Sequence, residues 1–506
     1  MPSSALTAYD QLCQHARETQ LLASIEDVLS WDERTQLPPA AGEYRAEQMT
    51  YLAGLVHRRR TDPRLGEWLA ELAGSELARE PHSDAGTVIR QLKRQYDKLV
   101  KLPAALVEEL TRTSVLGQQV WQQARAANDF KAFQPILTKT YELKRAQAQA
   151  IGYQDQPYDA LLDDFEPAET TRNLTRVLAE LREQLVPLVA AIAESPKRPD
   201  TALLRRSFPQ AAQAQFGSAA AAAFGFEFAR GRLDVTAHPF CTGMGPNDCR
   251  ITTRYDEQFF PSAFFGILHE AGHGIYDQGL EPANYGLPTG TYISLGIHES
   301  QSRMWENLVG RSRAFWRHYY PQAQAAFPTA LAGVPLDDFF FAINDVRPSL
   351  IRVEADEATY NLHILVRFEL EQALIKNELP VADLPGAWNE KYQQYLGITP
   401  PNDANGVMQD IHWSAGLIGY FATYSLGNLY SAQFFEQADK DLGGLEAQFA
   451  RGEFQTLREW LREKIHQPGQ RYTAAELVQR VTGKPLSSGP LMAHLKGKLG
   501  PLYGLK

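Results

Sequence analysis

The residues with the most telling spacing are His269, Glu270 and His273 in the segment PSAFFGILHEAGHGIYDQG, an H-E-x-x-H motif. A helix advances about 100° per residue, so histidines four apart project from one face within about 40° of each other and can share one metal ion. Glu270 lies beside them, placed to serve a metal-bound water. With 12 histidines in 506 residues, chance produces the motif in roughly one chain in sixty of this make-up, so its surroundings matter. Pro261 suits a first helical turn, Phe264, Phe265 and Leu268 supply an apolar flank, and Gly279 can end the helix.

A catalytic zinc generally takes three protein ligands and leaves a fourth position to water, so a third ligand is required. Glu299 is the favoured one: it follows His273 by 26 residues, in SLGIHESQSRMWENLVG. Ser294 can cap a new helix that carries the carboxylate in its early turns. Glu281 and Glu306 are the rivals. His298 points about 100° away from Glu299 and reads as hydrogen-bonded scaffold rather than a ligand. Seven of the 12 histidines fall between His238 and His412, a concentration of titratable groups that favours a site over a purely structural helix.

The elements that must position this set are mostly helical. From Ala5 to about Glu194 apolar residues recur at spacings of three and four, with breaks at Pro38-Pro39, Pro103, Gly152 and Pro167. Ala219–Ala223 reads as a short helix. Near Gly231 the pattern changes: LDVTAHPF and CRITTRY flank the turn-rich TGMGPND and predict a hairpin, and TGTYISL offers a third strand. Helical periodicity returns after Ser294 and lasts to about Phe449, broken by loops around Pro335, Pro385 and Pro400-Pro401, and the Gly-rich tail beyond Gly483 reads as an irregular end. No Ser/Gly linker divides the chain. The expectation is one mainly α domain over 1–506 with a small antiparallel sheet, its parts spanning about 1–230, 231–430 and 431–506.

Composition narrows the function classes. The content is 44% hydrophobic and 22% charged, and 50 Lys+Arg against 60 Asp+Glu give a formal charge of −10. That balance offers no general attraction to nucleic acid or anionic membranes. No apolar run is long enough to span a bilayer, and MPSSALTAYDQLCQHARETQ lacks the pattern of a secretory leader. Three cysteines, Cys13, Cys241 and Cys249, form no disulfide framework, so a cytoplasmic location is expected.

Beyond the H-E-x-x-H helix, further motifs appear in order: WDERTQLPP (Trp31 to Pro39), HPF (His238 to Phe240), D-x-R-x-T (Asp248, Arg250, Thr252), HESQ (His298 to Gln301), IRVEAD (Ile351 to Asp356) and GVMQDIHW (Gly406 to Trp413), with GYFATYSLGN just beyond. This series resembles the thermostable Taq-type zinc carboxypeptidases, peptidase family M32, from about residue 10 to the C-terminus. The resemblance implies a helical body split by a deep groove, related to neurolysin and angiotensin-converting-type peptidases, with a small antiparallel sheet near the metal. It also implies a homodimer that removes single residues from peptide C-termini with broad specificity. Cys241 and Cys249 stand where that family more often has Thr and Val, and Ala422 where proline is expected. Both cysteines read as small buried apolar residues, with a reactive thiol as the alternative.

With zinc on His269, His273 and Glu299, Glu270 is the expected base that takes the water's proton and passes it to the leaving amine. Cobalt or manganese can also occupy a His₂Glu site. An exopeptidase must recognise a free carboxylate, and the planar guanidinium of Arg352 is the favoured group for this. The bland alternative is an internal ion pair of Arg352 with Glu354 or Asp356. Arg250 is the weaker choice, since R-I-T-T-R on a strand can equally brace the sheet. For the developing oxyanion, His412, Tyr420 and Tyr424 are the candidates, with the choice between the tyrosines open. His238 is expected to line the groove, and Asp248, Gln409 and Asp410 to orient ligands and loops. Two other functions compete: a metallo-oligopeptidase cutting internal bonds with the same helix, and a noncatalytic helical scaffold that merely keeps a metal site. The intact Glu270 speaks against the scaffold.

Overall fold

In the computed structural model, residues 4–505 are described. The chain first builds helices Ser4–Thr35, Gly42–Arg60, Pro63–Ala73, Asp84–Lys101, Ala104–Ala127, Phe130–Ile151, Pro157–Leu162, Thr171–Glu194 and Gln210–Phe224. Their ends follow local chemistry. Asp62 accepts from the Arg64 amide ahead of Pro63, Ser83 from Gly86, and Asp129 from Ala132, so each caps backbone donors that the first helical turn leaves unpaired. The helix ending at Ile151 stops at Gly152, whose φ of 86° lies in a region that favours glycine. Ala219–Ala223 lies within Gln210–Phe224, as the alanine run implies.

The sheet comprises β1 (Gly231–Val235), β2 (Cys241–Gly245) and β3 (Asp248–Thr253), in the order β1-β3-β2. It is mixed, not antiparallel as expected: β2 and β3 form an antiparallel hairpin, whereas β1 runs parallel to β3. The hairpin therefore lies one strand later than the sequence pattern placed it. Its first strand is CTGMG, the supposed turn, because Asn247 takes a φ of 66° and the reversal closes there. TGTYISL forms no strand; Pro288–Gly290 is a 3₁₀ turn, and the chain then runs into the next helix cap.

After the sheet come helices Phe260–Gly279, Leu295–Arg303 with a π-helical continuation at Met304–Val309, Arg313–Ala326, Leu336–Ile343 and Tyr360–Ile375. Leu384–Leu396, Ala422–Asp441, Leu445–Phe449, Gln455–Leu461, Ala474–Thr482 and Gly489–Tyr503 complete the chain. The break expected around Pro385 is present: helix Tyr360–Ile375 ends, and Leu384–Leu396 starts with Pro385 in its first turn, as proline's fixed φ permits. One expectation fails here. The tail is a helix, because Leu491, Leu495, Leu499 and Tyr503 recur every four residues and are all buried, while Gly497 and Gly500 meet open space. The buried stripe outweighs the helix-weakening glycines.

One continuous core runs from Ala124 to Tyr503 and includes the faces of Phe260–Gly279 and Ala422–Asp441. A separate small cluster, with Leu12, Leu69, Leu72 and Val88, joins the N-terminal helices. No helix of the described residues is long and apolar enough to cross a membrane.

Candidate metal centre and active site

Three helices assemble the central cluster. His269 and His273 project from Phe260–Gly279, Glu299 from Leu295–Arg303, and Ala422–Asp441 closes the far side. Two glycines allow this approach. A Cβ on Gly272 would stand 2.6 Å from Ser302 Cα, and one on Gly427 would stand 2.4 Å from Glu299 Cγ, so any larger residue would push the helices apart. Glu166 fixes the start of the Glu299 helix: its buried carboxylate accepts from Ser294 Oγ at 2.8 Å and from the Gly296 amide at 3.0 Å. Ser294 Oγ in turn accepts from the Ile297 amide, the cap expected of it.

Ligand atoms of His269, His273 and Glu299 all lie within 4.8 Å of one another. Glu299 Oε2 stands 3.4 Å from His273 Nε2 and 3.7 Å from His269 Nε2. Around a tetrahedral ion with bonds of about 2.0–2.1 Å, neighbouring ligand atoms stand about 3.4 Å apart. The donor set and its spacing therefore fit a metal ion.

The outer contacts orient these ligands. His269 Nδ1 lies 2.9 Å from Glu306 Oε2, which leaves Nε2 for the centre, the carboxylate–histidine arrangement common at metal sites. Arg303 Nε donates to Glu299 Oε1 at 2.7 Å, and Ser302 Oγ donates to Oε2 at 3.1 Å. His298 behaves as scaffold: its Nε2 is 3.1 Å from Asp277 Oδ1, and its ring stacks on His273 at 4.4 Å. Of the rival ligands, Glu306 serves His269 from behind, and Glu281 caps the turn Pro282–Asn284. Arg303 carried a signal that the sequence reading missed, since Glu299, Arg303 and Glu306 are spaced four and three apart along one helical path. The π-helical turn brings Glu306 behind His269.

Electrostatics follow from burial and these partners. Burial pushes the Glu299 carboxyl up, but Arg303 and both histidines outweigh it and hold its pKa well below the usual range. Burial likewise opposes ionisation of Glu306, yet the His269 hydrogen bond and Arg303 bring it down to about 2. His273 falls to about 4, through burial and then the neighbouring His298. Glu270 is 8% exposed and accepts no charged hydrogen bond among the described residues; burial, aided by the Glu299 charge, raises it to about 7.

Arg352 lies on the turn Arg352–Glu354 and is 5% exposed. Its expected internal partners, Glu354 and Asp356, are not the ones it meets. Arg352 Nε and Nη2 donate to Asp410 Oδ1 at 3.1 and 2.9 Å, and Nη1 donates to Tyr360 OH at 2.8 Å. Asp410 also accepts from Arg367 Nε at 2.6 Å. Two guanidinium groups thus share one carboxylate, and the cluster keeps one positive charge in surplus. Gln409 accepts from the Arg352 amide at 2.9 Å and holds the turn.

Tyr424 lies over Arg352, with the guanidinium 5.0 Å from its ring centre, and its OH is 3.3 Å from His412 Nε2. Three residues before Gly427, it shares the helix face that touches Glu299. Tyr420 packs 5.4 Å from Tyr424 and from His412. Burial lowers His412 to about 4, so its ring is neutral near pH 7. Arg250 is not part of this group. It forms a two-toothed ion pair with Asp248, both contacts 2.9 Å, and stacks on Trp31 at 4.4 Å. Neighbours along a strand point to opposite faces, and Cys249 packs against Gly274 of the His269 helix, so Arg250 faces the N-terminal helix instead. His238 is exposed between β1 and β2.

Residues 11–499 match the family model described as Carboxypeptidase Taq (M32) metallopeptidase. The chain is 49% identical to thermostable carboxypeptidase 1 of Thermus thermophilus, covering 98% of this chain and 99% of that one. It is 40% identical to carboxypeptidase 1 of Bacillus subtilis over 94% of this chain and 95% of the other. An M32 carboxypeptidase of Deinococcus radiodurans has a structure that superimposes with a TM-score of 0.95 at 42% identity, covering 98% of this chain and 100% of that one. Family model, relatives and solved structure match over nearly the whole length, and the chain belongs to the M32 family as a metallocarboxypeptidase dependent on a divalent metal ion.

Proposed function

We propose that this metallocarboxypeptidase is a zinc enzyme that releases single residues from peptide C-termini with broad specificity, Glu270 activating the attacking water. The observation that carries the reading is the convergence of two imidazole Nε2 atoms and one carboxylate oxygen at tetrahedral spacing beside a buried, otherwise unpaired carboxylate. His269, His273 and Glu299 would hold the ion, a known catalytic zinc donor set, with cobalt a workable substitute. Zinc, when bound, supplies Lewis acidity toward a carbonyl and acidifies water. Glu270 takes the proton of the attacking water and delivers it to the leaving amine. Tyr424 and Tyr420 donate to the developing oxyanion. Neutral His412, beside the Tyr424 hydroxyl, orients it. The surplus positive charge of the Arg352–Asp410–Arg367 cluster attracts the substrate's terminal carboxylate, and the free N–H groups of Arg352 receive it. His238, exposed beside the hairpin, is assigned to the outer path of the substrate; the Asp248 pairing reduces Arg250 to a brace.

The decisive experiment follows one N-blocked peptide, as free acid and as C-terminal amide, by mass spectrometry with and without a chelator. Sequential loss of single residues from the free acid alone, stopped by chelation and restored by zinc, is the expected result. Internal cuts in both peptides would replace this reading with an oligopeptidase.

Glu306→Ala tests the support of His269. With its Nδ1 partner gone, the ring loses its fixed orientation, and metal affinity should fall by about 10–100-fold while the fold persists. Competition against a chromogenic chelator measures this, and unchanged affinity would show that His269 needs no such support.

The partners are peptides with free C-termini and a second copy of the chain. Leu21, Ile25 and Val28, spaced four and three apart, are 64%, 47% and 39% exposed on the first helix, and Tyr44 and Tyr51 of the next helix are also exposed. Such a stripe suits a homodimer, and sedimentation at a monomer's mass would contradict it. Three free thiols accord with a reducing cytoplasm.

A further inference from the structure

Beside the catalytic cluster lies a second group of metal-binding side chains that the reaction does not use: Cys241 on β2, Cys249 on β3, and Asp277 on the helix of His269 and His273. Their ligand atoms all fall within 4.8 Å of one another. Cys241 Sγ stands 3.7 Å from Cys249 Sγ and 4.0 Å from Asp277 Oδ2. Cys249 is buried at 3% exposure, while Cys241 is partly open.

Two glycines make room for this convergence. A Cβ on Gly243 would stand 2.9 Å from Asp277 Oδ2, and one on Gly274 would stand 3.3 Å from Cys249 Sγ. Gly243 is the register partner of Cys249 across the hairpin, so the carboxylate reaches the thiols through the space a side chain would fill.

The distances separate two accounts of the group. Two thiolates on a tetrahedral zinc-like ion, with bonds of about 2.3 Å, stand about 3.8 Å apart, and a thiolate stands about 3.6 Å from a carboxylate oxygen on the same ion. The observed 3.7 and 4.0 Å are close to both. A disulfide needs its sulfurs at about 2.04 Å and its Cβ atoms at about 3.8 Å. Cys241 pairs with Ile251 and Cys249 with Gly243, so the cysteines are diagonal neighbours, a relation that places them farther apart than direct partners. His298 holds one oxygen of Asp277, Oδ1, and the other, Oδ2, is left facing Cys241.

We infer that Cys241, Cys249 and Asp277 form a second metal site, for a thiophilic divalent ion of the zinc or cadmium class, with its fourth position open to water on the Cys241 side. Binding forms two metal–sulfur bonds and one metal–oxygen bond, and each thiol gives up one proton to solvent. Thiolate donors select such ions over the hard cations that oxygen ligands favour. The site is joined to the catalytic cluster: Asp277 Oδ1 is 3.1 Å from His298 Nε2, and His298 stacks on His273. An ion held by Oδ2 would therefore fix the carboxylate that orients this histidine pair and tie the hairpin to the catalytic helix.

The test uses the full-length enzyme, its catalytic site first filled with zinc and excess metal removed, titrated with cadmium alone. Metal analysis and ultraviolet absorption are read together, since a thiolate–cadmium charge-transfer band reports sulfur ligation and catalytic His₂Glu ligation produces none. The expected result is a band that saturates at one cadmium per chain, persists in Cys13→Ser, and is lost in the Cys241→Thr/Cys249→Val double variant. Asp277→Asn, which keeps the acceptor facing His298, should weaken cadmium binding roughly tenfold or more. If the double variant fails to fold, Cys241→Thr alone, at the partly exposed position, must lose the band. Absence of the band, its survival in the cysteine variants, or an intact mass two hydrogens lighter that marks a Cys241–Cys249 disulfide in the enzyme as purified, would overturn the inference.

Discussion

Glu270→Gln should bind metal as the parent enzyme does and lose turnover by at least about 10²–10⁴-fold, the ordinary contribution of a positioned acid–base group. The substitution preserves shape. Glu270 is 8% exposed and among the described residues makes no ion pair that would be broken, and the metal ligands flank it without depending on it. What disappears is the ability to take a proton from water and give it to the leaving amine. Because that function operates only in the transition state, kcat and kcat/KM should fall together while KM changes little. Metal content by mass spectrometry and initial rates on one dipeptide-terminated substrate measure both quantities. A variant with a full complement of metal and near-parental kcat would move proton transfer to another group.

Arg352→Ala should lower kcat/KM on free-acid peptides by about 30- to several thousand-fold, the equivalent of about 2–5 kcal/mol for truncating one member of a buried charge pair. Two effects must be separated, because Arg352 also braces its own surroundings. It shares Asp410 with Arg367 and donates to Tyr360. Its loss leaves Asp410 with Arg367 alone, so the site becomes neutral without stranding the carboxylate. A purely structural role predicts reduced stability and equal damage to every substrate. Carboxylate recognition predicts a loss specific to the free acid, little change in metal affinity, and partial recovery in Arg352→Lys, which restores charge but not the planar fork. Urea midpoints together with kcat/KM on paired acid and amide peptides distinguish these. Unchanged kcat/KM in a folded variant would place the carboxylate elsewhere.

The first of these predictions rests wholly on features visible in sequence; for the second, the sequence singles out Arg352, but its partners Asp410, Arg367 and Tyr360 appear only in the structure. His269 and His273 could be paired from a spacing of four because a helix makes that spacing a shared face. Glu299 could be proposed because Ser294 marks a helix start shortly before it, and the structure brings all three together. Helix boundaries set by proline, glycine and capping residues were similarly local. The parallel β1–β3 pairing was not, since parallel neighbours are joined through a crossover whose register no short pattern records. The terminal helix follows the four-residue repeat of Leu491, Leu495, Leu499 and Tyr503, a pattern that the Gly-rich composition of the tail obscures in sequence.

By itself, then, the sequence determined the helical character of the chain, the motif that places two imidazoles on one face, and the family resemblance. Tertiary structure alone decided which groups surround them: Glu306 behind His269, Asp410 between Arg352 and Arg367, Gly427 against Glu299, and Asp277 facing the two cysteines of the hairpin. The physical reason is separation along the chain. Capping and helical periodicity act over a few residues and leave a local imprint. A buried charge finds its partner across the core, wherever packing brings a complementary group within a few ångströms, and nothing in the neighbouring sequence records that meeting.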